Sequence, residues 1–113
     1  METERQQRGK TAEDTVARAL RMLGFRIEGR NVRSGRLEAD ILAADEEGLA
    51  VVEVRARQAG AAVDPFESVG GAKGRRLERL AAELAGGRPA RIVLAGVSLR
   101  GRRPVAVRIL DVT

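Results

Sequence analysis

Ala12, Val16, Ala19, Leu20 and Leu23 recur at helical spacing from Thr11 onward, and Gly24 follows as a stop. This pattern predicts a first amphipathic helix with Glu13 near its start. The polar residues 1–8 ahead of it are expected to be flexible. Phe25 to Val32 alternates loosely and reads as an edge strand. Ser34-Gly35 is a turn, Leu37 to Ala44 a strand, Asp45 to Gly48 a second turn, and Leu49 to Arg57 the returning strand of an antiparallel hairpin. Within that last strand, the unbroken run Ala50-Val51-Val52 predicts burial on both faces and hence a central position.

Residues 58–74 read as a loop containing Asp64-Pro65 and Gly70-Gly71. Leu77, Leu80, Ala81 and Leu84 mark a second amphipathic helix over Lys73 to Ala85, ended by Gly86-Gly87 with Pro89 beyond. Ala90 to Leu99 and Pro104 to Val112 are two further strands joined by Arg100-Gly101-Arg102-Arg103. The order α-β-β-β-α-β-β, without repeats or linkers, predicts a single α/β domain over residues 1–113, a mixed sheet flanked by helices.

Against this apolar pattern, the acids inside strands stand out. Glu38 and Asp40 share one face of a strand, and Glu53 and Arg55 share a face of the next. An unpaired buried charge is costly, so carboxylates in such positions need a partner. Two readings stay open at this level. In one, a divalent metal held by Asp40 and Glu53 neutralises a phosphodiester, activates water and stabilises the leaving oxygen. In the other, the acids form a buried ion cluster with Arg55 or face solvent on a half-exposed sheet. Glu38 is placed in support of the first pair, about two strand rises from Asp40. Arg55 can stabilise charge on a phosphate or satisfy a carboxylate, but as a guanidinium it cannot accept a proton.

Composition narrows the chemistry. The chain has no histidine and no cysteine, which excludes Ser-His-Asp catalysis, thiolate sites and disulfides, and leaves oxygen ligands of the kind that suit Mg²⁺ or Mn²⁺. The net charge of +5 suits a polyanion, and ordinary solubility explains it equally well. Two aromatic residues, Phe25 and Phe66, are too few for a base-stacking single-strand binder. Lys73, Arg75 and Arg76 cluster at the second helix, where they are either a solvated face or phosphate contacts. Nothing approaches membrane-spanning length and the first residues lack a signal-peptide core, so a cytoplasmic location is expected.

The motifs resemble a known family. Arg8-Gly9 with Ala12-Glu13, Leu23-Gly24-Phe25-Arg26-Ile27, Arg30-Asn31-Val32-Arg33, Glu38-Ala39-Asp40-Ile41 and Val52-Glu53-Val54-Arg55-Ala56-Arg57 follow one another as in the YraN-like proteins. These are small bacterial proteins of the PD-(D/E)XK nuclease fold, related to archaeal Holliday-junction resolvases. Asp64, Pro65, Glu67, Val69 and Lys73 continue the likeness, which spans about residues 8–95.

The resemblance implies a restriction-endonuclease-like fold and a Mg²⁺- or Mn²⁺-dependent endonuclease acting on DNA, with branched or structured DNA as a candidate substrate. It implies metal ligands at Asp40, Glu53 and the Val54 backbone carbonyl, with Glu13 approaching from the first helix, and a homodimer. The chain departs from the pattern in three places. Arg55 stands where the family has its catalytic Lys, Leu37 replaces a Gly, and Ile92 or Val93 occupies the place of an Asp. A nucleic-acid-binding module weakened in catalysis by Arg55 is the alternative. A protein-interaction domain is a third reading.

Overall fold

The computed structural model describes residues 1–61 and 71–112. It runs α1 (Glu4–Met22), β1 (Arg26–Ser34), β2 (Leu37–Asp45), β3 (Gly48–Gln58), α2 (Gly71–Ala85), β4 (Ala90–Arg100) and β5 (Arg103–Asp111). The five strands lie in chain order in one sheet, antiparallel except for the parallel β3–β4 pair. This is the α-β-β-β-α-β-β mixed-sheet domain that the hydrophobic pattern predicts. The matches at Asp64, Pro65, Glu67 and Val69 lie outside the described residues.

α1 begins at Glu4, earlier than the Thr11 start that the apolar stripe suggests. A reciprocal cap explains the difference: Thr3 accepts from the Gln6 amide while the Gln6 side chain accepts from the Thr3 amide. An apolar stripe reports only the part of a helix that touches the core, whereas a cap reports where it starts.

The helices cover opposite faces. α1 sets Ala12, Val16, Ala17 and Leu20 against Ile41, Ala43, Ala50 and Val52. α2 sets Leu77, Leu80, Ala81 and Ala85 against Leu42, Leu49, Val51, Ile92 and Leu94. Ala50, Val51 and Val52 are completely buried, because β3 is the centre of the sheet with a helix on each side. Their apolar side chains provide the main drive to bring the layers together, at about 25 cal/mol per Å² removed from water.

At the β2–β3 turn, Gly48 has φ of 128°, and a Cβ there would lie 2.2 Å from the Pro89 carbonyl oxygen. Only glycine fits this close approach, which lets Leu49 N–H bond the same carbonyl at 2.8 Å and start the β3–β4 ladder. Among the described residues, no helix is long and apolar enough to cross a membrane.

Candidate functional site

The site arises where β2 stops following β3. Their ladder runs from Asp45 opposite Gly48 to Ile41 opposite Val52 and then ends, so Asp40 is not paired with Glu53 as the register would continue. Strand alternation breaks at the same point. Ile41 and Ala43 face α1, yet Ala39 joins Leu42 on the α2 face. On the other side of β2, Asn31 falls between the paired residues Arg30 and Val32 and takes φ of 51°, a left-handed conformation that Asn tolerates better than most residues. β2 stays in register with β1 past this point while its ladder with β3 ends, so β2 and β3 fork apart at Asp40.

Within the fork the Asp40 carboxylate takes the place of a ladder partner: its Oδ2 accepts from the Val54 amide at 2.7 Å. Oδ1 has no protein partner among the described residues. A strand residue points its N–H and C=O to the same side, so the Val54 carbonyl also faces the fork. Burial pushes the Asp40 pKa up to about 6, opposed by the Val54 hydrogen bond and helped by the charges of Glu53, Glu13 and Glu38.

Glu53 meets cations from two elements. Lys73 of α2 places Nζ 2.8 Å from Oε1, and Arg55 brings Nε to 3.5 Å from the same oxygen. Glu38 is held by Arg33 at 3.0 Å. A cleft of about 300 Å³ between β2, β3 and α2 is lined by Glu38, Asp40, Glu53, Lys73, Arg76 and Arg36 together with Leu37, Leu77 and Leu80.

Most of the predicted residues thus converge. Asp40, Glu53, Glu38, Lys73 and Arg76 share the cleft, and Arg55 reaches it through Glu53. Arg75 is exposed and does not line it. Glu13 lines a separate cavity beside Arg30 and Asn31, although its charge reaches Asp40. Its own pKa is raised, first by burial and then by Asp14 and Glu38, against the lowering effect of Arg30. Arg36 is a lining residue that sequence reasoning missed; its position beside the Ser34-Gly35 turn was the available signal.

The groups the sequence offers as ligands, Asp40, Glu53 and the Val54 carbonyl, are all oxygen donors, the kind that hard cations such as Mg²⁺ take, and the two carboxylates line the cleft. Among the described residues no group of three or more Asp, Glu, His or Cys could hold a metal ion.

The profile of the uncharacterised protein family UPF0102 matches residues 12–107. The chain belongs to UPF0102. Its sequence is 45% identical over 81 residues to a UPF0102 protein of Anaeromyxobacter dehalogenans, covering 72% of this chain and 60% of that protein. A Moorella thermoacetica relative is 43% identical over 96 residues, covering 85% of this chain and 77% of its own. A UPF0102 protein of Sorangium cellulosum is 42% identical over 71 residues, covering 63% of this chain and 49% of its own. The chain therefore matches about half to three-quarters of the length of these three UPF0102 proteins. The match contains β2, β3, β4 and α2, the elements that build the cleft.

Proposed function

We propose that this UPF0102 protein is a metal-dependent endonuclease of the restriction-endonuclease-like class, hydrolysing DNA phosphodiester bonds at the β2–β3 fork, with branched or structured DNA as substrate. The observation that carries this reading is the half-buried Asp40 carboxylate, which feels the negative charges of Glu53, Glu13 and Glu38 and whose Oδ1 has no partner among the described residues. A cation and a phosphate would relieve that charge.

Asp40, Glu53 and the Val54 carbonyl would hold Mg²⁺ or Mn²⁺, which would neutralise the scissile phosphate and activate water. The remaining residues act by charge and position. Lys73 approaches Glu53 from α2 and supplies the ammonium that the resemblance expects from position 55. Arg55 adds a fixed positive charge on the same oxygen, while Arg36 and Arg76 line the approach and suit phosphate contacts. Glu38, tied to Arg33, keeps the acidic edge in place. A homodimer belongs to the same reading, since two such clefts would serve a two-fold junction.

The test is incubation with duplex, flap and four-way-junction DNA, with Mg²⁺, with Mn²⁺, or with chelator. Cleavage is expected only with metal, and Asp40→Asn or Glu53→Gln should slow it at least about 100-fold. Absence of cleavage, or cleavage that these substitutions leave intact, removes the enzyme reading. One observation favours the binding-module alternative: Glu53 already has two cations as partners. Salt-sensitive DNA binding without turnover would then be the result.

A further inference from the structure

A second cleft, of about 470 Å³, opens between the first turns of α1 and the C-terminal half of β3. Arg5, Arg8, Gly9, Arg55, Ala56 and Arg57 are among its lining residues, and no acid lines it among the described residues. Two features of α1 run against the needs of a helix. Arg5 puts a cation in the first turn, the end where the helix dipole disfavours positive charge, and neither it nor Arg8 meets a carboxylate within ion-pair distance among the described residues. Gly9 sits inside the helix although a Cβ there would meet nothing within 4 Å, so packing does not require a glycine. Both choices leave the cleft open and positive.

The wall opposite α1 adds a backbone donor. Leu49 and Ala59 send their N–H groups toward the β4 side, to Pro89 and Leu99, whereas Val54 sends its own toward Asp40. By strand alternation the N–H of the exposed Ala56 points to the fork side, where β2 is no longer paired. Arg55 links the two clefts, lining this one while contacting Glu53. Along β3 the second cleft begins about one residue rise, roughly 3.3 Å, beyond Glu53.

We propose that Arg5, Arg8 and the Ala56 amide seat the phosphodiester backbone of DNA beyond the carboxylate site, with Gly9 leaving room for its close approach. Guanidinium forks and a backbone amide contact phosphate oxygens without reading bases, so this seat adds affinity and register but no sequence preference. It rests on the nuclease reading for the choice of DNA, but it concerns binding and stands apart from cleavage.

The test uses a fluorescein-labelled DNA duplex in chelator, with anisotropy read between about 50 and 200 mM salt. The double variant Arg5→Ala/Arg8→Ala is expected to bind at least about tenfold more weakly and to lower the slope of log affinity against log salt by about two. Gly9→Glu places a carboxylate in the same cleft on a better helix former. It should raise the unfolding temperature while weakening binding, and a purely structural role cannot move these two readouts in opposite directions. Unchanged affinity and salt slope in the double variant, or no DNA binding by the unmodified chain, overturns the seat. If the double variant loses binding while the unmodified chain never cleaves, the seat stands and the nuclease reading falls. If cleavage depends on Asp40 while the double variant binds normally, the seat falls alone.

Discussion

Asp40 and Asp45 lie on the same strand, one at each end of the β2–β3 pairing, and their surroundings treat them in opposite ways. Burial acts to raise the pKa of Asp45, but the Arg91 guanidinium, by hydrogen bond and charge, and the Glu47 and Gly48 amides outweigh it and hold it below the usual range. Arg91 also reaches Glu47 at 3.5 Å and stacks 5.2 Å from the centre of the Phe25 ring. Asp40 has one amide as partner, feels the negative charges of Glu53, Glu13 and Glu38, and is pushed by burial up to about 6. The same residue type is satisfied where the hairpin closes and frustrated where it opens. Frustrated charge of this kind, kept in a cleft, marks a functional position more often than a structural one.

If the closed end is structural, damage there should unfold the protein. Gly48→Ala is the sharpest probe, because it combines a positive φ with a Cβ 2.2 Å from the Pro89 carbonyl. We expect a loss of about 3 kcal/mol or more, read by urea denaturation. Near-wild-type stability in this variant would mean that the turn relaxes easily and that the closed end is not the rigid part of the hairpin.

At the open end the largest effect should fall on chemistry. Lys73→Met removes the ammonium 2.8 Å from Glu53, on a side chain about one-third exposed. Activity should drop about 100-fold, mainly in kcat, with partial recovery in Lys73→Arg and unfolding little altered. A change confined to KM would reduce Lys73 to a binding contact. Arg55→Lys tests the division of labour directly: if Lys73 supplies the catalytic charge, this substitution changes the rate by less than Lys73→Met does.

The hydrophobic pattern carried the element order and the central place of β3, because a strand covered by helices on both faces has to be apolar throughout, as Ala50-Val51-Val52 is. Acids within such strands were legible for the same reason, since Asp40 and Glu53 break a rule that their neighbours keep. The start of α1 was hidden, because its first turns are fixed by the Thr3–Gln6 cap and touch little core. So was the break at Asp40, where the ladder with β3 ends opposite an Asn31 in the left-handed conformation. The contact of Lys73 with Glu53 joins residues from β3 and α2 across 62–70, and no local spacing encodes it.

The smallest expected effect separates the two ends most cleanly, since its sign is opposite to that of ordinary damage. The folded-state pKa of Asp40 lies near 6 against an unperturbed 3.8. Its contribution to stability is therefore fully present below the unfolded value and is lost as pH rises through about 6. The shift of about two units corresponds to a ceiling of about 3 kcal/mol, reduced by screening because the carboxylate is only partly buried. Asn in its place still offers an oxygen to the Val54 amide and never ionises. Asp40→Asn should therefore raise stability by about 1–2 kcal/mol at pH 8 in chelator, with the gain fading as pH falls toward 4. If Asp40→Asn is instead less stable than the unmodified chain at pH 8, the carboxylate is held by attractions that the fork does not display, and the contrast with Asp45 disappears. If it is more stable and also inactive, the open end keeps a destabilising charge for its chemistry, which the paired carboxylate of Asp45 has no need to do.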